Sequence, residues 1–138
     1  MNNKGLTIDY LNRSRARLKA VAVLVKEKSY ADVVRESQEI VELCSKALLR
    51  ANGIEPPRIH DVSQIIKDNE NVFKNIKTND LKTLCKISHT LRRDRELAYY
   101  GSEDLTPSDF YSVEDANEAY EGASWVYKTV NAAICDLI

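Results

Sequence analysis

The chain has 138 residues and a formal net charge of -1, with 43% hydrophobic and 30% charged residues. This length predicts one domain, residues 1–138, that can bury about two-thirds of the surface exposed by the unfolded chain. The near-neutral charge excludes a global attraction to nucleic acid or to an anionic membrane, so any such attraction must come from a local patch. Because the first residues are polar and the longest apolar run is only Ala20 to Val25, we expect a cytoplasmic protein that makes no membrane contact.

Glycine, proline and cysteine usage narrows the fold class further. Four glycines and three prolines are too few for the frequent turns that strands need, which favours helices. The three cysteines, Cys44, Cys85 and Cys135, have no metal or redox spacing, so we expect three buried thiols in a reducing compartment. The sequence predicts no cofactor, and two histidines without a matched carboxylate cluster predict no metal site.

The first half of the chain predicts an antiparallel pair of helices. Apolar residues recur at three- and four-residue spacing over Thr7 to Lys28, which predicts the first helix. Ser29 is a candidate N-cap for the second helix, which carries a heptad-like apolar seam as far as Asn52. Gly53 is a suitable left-handed stop, and the two prolines that follow prevent an early restart.

The second half predicts one short helix and two long ones. Asp61 followed by Gln64 is a variant capping box that opens a short helix, Val62 to Asn71. Thr78 is the candidate cap of a fourth helix that ends at Gly101, and residues 102–111 are predicted to be a loop. The capping pair Ser112 and Asp115 opens the last helix, which runs nearly to the C-terminus. Gly122 inside that helix predicts a close approach of another helix.

These elements predict an all-α fold, an antiparallel up-and-down bundle of four long helices plus one short helix. Within it, the stretch LRRDRELAYYG, Leu91 to Gly101, is the strongest candidate for a binding site. Arginines beside exposed aromatic side chains suit contacts to phosphates and bases. No histidine, cysteine or carboxylate pair of catalytic spacing stands within this stretch, so no catalytic residue is predicted there.

Arg95 lies on the apolar stripe of the fourth helix, where an unpaired buried guanidinium would be very unfavourable. Two interpretations are equally supported: an internal salt bridge with Glu114 or Glu118, or a position in a cleft or interface. Arg92 stands one turn earlier on that helix.

Aromatic and histidine side chains near these arginines complete the candidate site. Neighbours on a helix diverge by about 100°, so Tyr99 and Tyr100 cannot both point inward, and packing is the preferred interpretation of the pair. His89 precedes Arg92 by three residues and could in principle act with it as an acid or base, although a surface histidine is the favoured interpretation. His60 is expected to hold a turn rather than a metal.

Two segments resemble the HEPN domain family of prokaryotic helical bundles. The run Ser29 to Val62 resembles that family's second helix and its G-x-x-P-P-x-x-H-D turn, formed here by Gly53, Pro56, Pro57, His60 and Asp61. The segment RELAYYG, Arg95 to Gly101, resembles the R-x-x-A-x-Y-G stretch of a small branch of the family. The resemblance covers Asp9 to Val130 and implies a five-helix bundle that is usually a homodimer.

In this family, many members are toxins paired with a minimal nucleotidyltransferase antitoxin, and the ribonuclease members carry R-x(4–6)-H at the dimer cleft. This sequence departs from that motif. The positions that follow Arg92, Arg93 or Arg95 at this spacing hold only the residues from Leu97 to Ser102, none of them histidine. The ribonuclease mechanism that the motif supports therefore cannot be carried over to this chain.

Three functional hypotheses remain. The first is a homodimeric module that binds a nucleotide, RNA or a nucleotidyltransferase partner at the arginine–tyrosine segment without cleaving anything. The second is a ribonuclease toxin with a rearranged site that uses Arg92 or Arg95 with His89 or Tyr100. The third is a structural adaptor bundle in which Arg95 forms an internal ion pair.

Overall fold

The computed structural model describes the backbone of residues 4–100 and 106–137, and the side chains of 4–92 and 106–137. This part of the chain forms six helices: α1 Lys4–Lys26, α2 Tyr30–Ala51, α3 Ser63–Asp68, α4 Thr78–Tyr100, α5 Pro107–Phe110 and α6 Val113–Ile134. A 3-10 turn, Glu70–Val72, follows α3. The predicted all-α fold is confirmed, and the four long helices are those expected. None of the described helices combines the length and the apolarity that crossing a bilayer requires.

The second helix, α2, is the centre of the bundle. It packs against α1, α4 and α6, whereas α4 and α6 touch one another at few points. Its sequence explains this position, because apolar and small residues occupy most of its circumference and thirteen of its 22 residues are buried. A helix that is apolar on more than one side must be covered on each of those sides. The largest fully buried side chains of α2 are Val33, Ile40, Val41, Leu48 and Leu49.

Both helices of the first pair end in the same backbone motif. At the end of α1 the Ser29 amide donates to the Leu24 carbonyl at 3.0 Å, with Lys28 between them at φ 60°. The Lys28 amide also donates to the Val25 carbonyl. The end of α2 has the same two bonds, from the Gly53 amide to the Arg50 carbonyl and from the Ile54 amide to the Leu49 carbonyl, and Gly53 has φ 79°. This Schellman arrangement requires a left-handed residue, and glycine takes that conformation without the steric penalty of a Cβ. The predicted stop at Gly53 is confirmed, while Lys28 holds an unfavourable backbone conformation.

Two segments differ from the sequence-based expectation. The third helix is shorter than predicted, ending at Asp68, because the chain tightens into the 3-10 turn and then buries Phe73 against the core. The prediction of a loop over 102–111 is wrong for its second half. There Pro107 begins the one-turn helix α5 instead of preventing one, since its fixed φ suits a first helical position and Thr106 caps the turn.

The last helix begins and packs as predicted. The capping box between Ser112 and Asp115 is present, with each residue accepting a hydrogen bond from the other's backbone amide. Gly122 lies where α6 approaches α4, and a Cβ added there would stand 3.3 Å from Ile87 Cγ2. The close helix approach inferred from this glycine is therefore confirmed.

The expectation of three buried thiols is wrong for one of them. Cys44 and Cys85 are buried in the core, but Cys135 is exposed. The physical reason is its position: α6 ends at Ile134, so Cys135 follows the last residue whose side chain the inward-facing stripe of that helix buries.

Candidate functional site

The connection between α2 and α3 holds the turn residues that the sequence singled out. It starts at the left-handed Gly53, and Pro56 is buried while Pro57 is half-buried. The two consecutive side chains at its end attach it to different helices: His60 reaches α2 and Asp61 reaches α4. This turn therefore joins two of the long helices.

His60 forms the attachment to α2. Its Nδ1 atom lies 2.8 Å from Oε1 of Glu42, whose other oxygen accepts a hydrogen bond of 2.9 Å from Lys46 Nζ. Burial alone would raise the pKa of Glu42, but the hydrogen bonds from His60 and Lys46 outweigh burial and hold the pKa below its usual value. Glu42 is therefore an anion at neutral pH, and its pairing with His60 holds the turn against α2.

Asp61 forms the attachment to α4. Its Oδ1 atom accepts hydrogen bonds from the Ser63 amide at 2.9 Å and from Ser88 Oγ at 2.8 Å. Burial would raise the pKa of Asp61, but these hydrogen bonds outweigh it and lower the pKa. The predicted partner in the capping box, Gln64, instead donates to Asp68 within α3. The N-cap position of α3 is Val62, so Asp61 bonds the first helical amide from the residue before the cap, and it also ties the turn to α4.

His89 stands beside the second oxygen of Asp61. The distance from His89 Nδ1 to Asp61 Oδ2 is 3.6 Å, which is an ion-pair distance and too long for a hydrogen bond. The imidazole is 74% exposed, so its reactive atoms are open to solvent. Arg92 follows three residues later on α4 and is half-buried. His89 thus presents an exposed imidazole beside an anchored carboxylate, and imidazole is the side chain most often used for general acid–base catalysis.

The other members of the arginine–tyrosine segment lie at the end of α4. The backbone of α4 is helical as far as Tyr100, so Arg95 follows Leu91 by one helical turn. The side chains of Arg95, Tyr99 and Tyr100 fall outside the described part of the chain, as does Gly101. An ion pair of Arg95 with Glu114 or Glu118 therefore remains a prediction.

A cleft of about 300 Å³ lies between α4 and α6, above α2. It forms because both helices pack on α2, whereas they touch one another at few points. The floor is apolar and includes Val34, Ile87, Leu91 and Ala119. The two walls differ in charge, with Lys86 and Thr90 on α4 facing Asp115 and Glu118 on α6.

Sequence reasoning did not find the carboxylate partners of the two histidines or the cleft. The partners are distant in sequence: His60 and Glu42 are 18 positions apart, and His89 and Asp61 are 28 positions apart. The sequence predicted only the contact of Asp61 with the start of α3, because such a contact joins residues that are neighbours along the chain. Within the side chains that the structure describes, no group of three or more metal-binding residues is assembled.

Comparison with known proteins relates this fold and turn to a family. The family model of the HEPN domain matches residues 8–133. A protein of Methanocaldococcus jannaschii named "Putative toxin MJ1304" is 31% identical over 144 aligned positions, which cover 94% of this chain and 91% of that protein. No significant match to a solved structure was found.

Proposed function

Because this chain belongs to the HEPN domain family, we propose that it is the HEPN component of a toxin–antitoxin-like module. In this proposal it is a homodimer that binds a nucleotide, RNA or a nucleotidyltransferase partner without cleaving RNA. The binding segment is the C-terminal half of α4, which carries Arg92, Arg95, Tyr99 and Tyr100. The observation that carries the proposal is the cleft, since Leu91 on α4 lines it and is also the first residue of the arginine–tyrosine segment, Leu91 to Gly101.

The chemistry of this segment favours binding over catalysis. Guanidinium groups make bidentate hydrogen bonds to phosphates, and tyrosine rings stack on bases. The R-x(4–6)-H spacing that supports ribonuclease activity in the family finds no histidine after Arg92, Arg93 or Arg95. A phosphate could therefore be held at this position, while the usual proton-transfer group is absent from the sequence. The name of the M. jannaschii relative is compatible with a toxin–antitoxin setting.

Co-purification from the native host tests this proposal. The tagged protein is isolated, its mass in solution is measured and its partners are identified by mass spectrometry. We expect a dimer that carries a nucleotidyltransferase, and a loss of the partner or of bound nucleotide in Arg95→Ala. The matched control is Arg15→Ala, which removes an exposed arginine from α1. A strictly monomeric protein in which Arg95→Ala binds nucleotide and partner as the native chain does would refute the proposal.

A second candidate function is supported by the position of His89. A ribonuclease toxin with a rearranged site could use this exposed imidazole, oriented by Asp61 at 3.6 Å, together with Arg92 or Arg95. Tyr100 is the weaker candidate for a base, because the pKa of a free tyrosine is about 10.

An RNA degradation assay decides between the two candidates. If the native chain cleaves RNA and both His89→Ala and Asp61→Asn lose this activity while still folded, the protein is a ribonuclease toxin with a rearranged site. Cleavage that survives His89→Ala, Tyr100→Phe and Arg95→Ala alike would come from a contaminant or from another site. Absence of any cleavage by the native chain would leave the binding module as the function to pursue.

A further inference from the structure

The acidic wall of the cleft continues well beyond the cleft itself. Between Arg95 and Lys128 the chain contains no lysine, arginine or histidine. In the first half of α6, Glu114, Asp115, Glu118 and Glu121 are all exposed, and none of them forms an ion pair with a residue whose side chain the structure describes. Among the described side chains, the α6 side of the cleft is therefore a negative surface whose acids have no ion-pair partner.

Only two of these four acids lie where they stabilise the N-terminus of α6. Glu114 and Asp115 lie in the first turn of α6, where acids favour the helix dipole, and Asp115 is a member of the capping box. Glu118 and Glu121 lie in later turns, where that effect has faded. Glu118 lines the cleft, and Glu121 follows it by one turn. Neither carboxylate has an ion-pair partner among the side chains that the structure describes, and both are exposed to solvent.

The apolar floor also extends out of the cleft. Tyr111 is buried against the floor, and the ring of Phe110 packs edge-on against it with the centroids 4.9 Å apart. Phe110 and Val113 are nevertheless 40% and 41% exposed. The apolar surface thus leads from the cleft to the start of α6, beside the acidic wall. A cleft of about 300 Å³ is at the lower limit for a small-molecule site, so the longer surface fits a polymer segment better.

We propose that this cleft and the acidic wall of α6 dock a basic peptide segment of a partner protein, with an apolar side chain in the cleft and lysine or arginine residues against Glu118 and Glu121. Charge complementarity selects this occupant. Lys86 on the opposite wall orients the segment, since it favours the carbonyl oxygens or an acidic residue on that side. The inference rests on the proposed function, because it describes how a protein partner would be held, and its two carboxylates lie on α6 rather than on the arginine–tyrosine segment of α4.

Fluorescence anisotropy with two labelled synthetic peptides tests the docking surface. The peptides have the same length and the same leucine positions, but one carries lysine and arginine where the other carries glutamate. We expect the full-length chain to bind the basic peptide more tightly than the acidic one, and less tightly as salt is raised. Tighter binding of the acidic peptide would overturn the proposal, and so would a Kd weaker than about 1 mM for the basic one.

Two variants locate the binding. The double charge reversal Glu118→Lys with Glu121→Lys should lower the affinity for the basic peptide at least about fivefold, because two attractions between opposite charges become repulsions. The control Glu27→Lys with Glu70→Lys makes the same change in net charge at two exposed positions, just after α1 and in the 3-10 turn, and should leave affinity unchanged. An equal effect of both double variants would show a response to net charge alone and would refute the site.

A third variant tests the cleft without changing charge. Thr90→Trp places a large ring at a half-buried position on the α4 wall of the cleft. The ring should fill part of the cleft and lower the affinity for the peptide by a similar factor. Circular dichroism and thermal unfolding confirm that each variant is folded. If these substitutions alter the mass of the protein in solution and leave peptide affinity unchanged, the surface binds a second copy of the chain and the proposal is wrong.

The outcomes separate this inference from the proposed function. If the co-purified partner is lost in Arg95→Ala but retained in the Glu118→Lys and Glu121→Lys double variant, the proposed function stands and the docking surface is refuted. If the cleft binds the basic peptide but no nucleotidyltransferase co-purifies, the docking surface stands without that partner.

Discussion

Replacing Asp61 should destabilise the protein more than replacing any exposed acid, because Asp61 connects the α2–α3 turn to α4. Asp61→Ala removes the acceptor of the Ser63 amide at the start of α3, a loss of about 1 kcal/mol. It also removes the acceptor of Ser88 Oγ, and Ser88 is only 4% exposed, so water cannot easily replace the bond. A bond to a charged acceptor contributes about 1.5–3 kcal/mol. We therefore expect a loss of roughly 2.5–4 kcal/mol in the free energy of unfolding at neutral pH.

Urea unfolding followed by circular dichroism measures this loss, and its pH dependence tests the cause. The pKa of Asp61 is lowered in the folded chain, so its charge-dependent stabilisation is complete above the pKa of the unfolded state. That contribution is lost as pH falls through the folded pKa, and the native chain and Asp61→Ala should converge in acid. Asp61→Asn keeps an acceptor oxygen and should lose less at neutral pH, with little pH-dependent difference from Asp61→Ala.

An exposed acid provides the control for Asp61. Glu55 is 83% exposed and lies 3.7 Å from Arg50, so Glu55→Ala should change stability by less than about 0.5 kcal/mol. A loss below about 0.5 kcal/mol for Asp61→Ala, or a difference from the native chain that persists unchanged in acid, would refute the role assigned to Asp61.

Two further predictions concern backbone strain and thiol exposure. Lys28→Gly should stabilise the protein by about 0.5–1 kcal/mol. It removes left-handed strain of about 1–2 kcal/mol, and part of that gain is offset because glycine loses more backbone entropy on folding. Gly53→Ala at the equivalent position should destabilise the protein by a similar amount. Thermal unfolding of both variants measures the pair, and shifts of the same sign would contradict the assignment. Alkylation by N-ethylmaleimide at neutral pH should modify Cys135 quickly, because it is exposed. Cys44, whose pKa burial raises to about 12, and Cys85, whose pKa burial also raises, should react only on unfolding, as mass spectrometry of the intact protein would show.

Local interactions made much of the fold predictable. Helix caps and stops act over three to five residues, and so Gly53 as a stop and the capping box of Ser112 and Asp115 were visible in the sequence. The apolar spacing of the four long helices was equally visible, since it repeats along each helix. The helix at Pro107 was missed, because proline is compatible both with a turn and with the first position of a helix.

The candidate site was predictable only in part. Sequence alone identified the arginine–tyrosine segment and the His60–Asp61 turn, because unusual residues in a helical stripe and a proline-containing turn are local patterns. It could not pair His89 with Asp61 or His60 with Glu42, since each pair joins segments that meet only when α2, α3 and α4 pack together.

The sequence by itself determined the helical class, the ends of most helices and the absence of any histidine after His89. Those properties follow from residue type and spacing along one segment. Tertiary structure decided which charges face one another and where empty space remains. The cleft exists because α4 and α6 both pack on α2 but touch one another at few points, Gly122 and Ile87 among them. Its charged walls follow from the relative rotation of two helices, which is set by packing across the core.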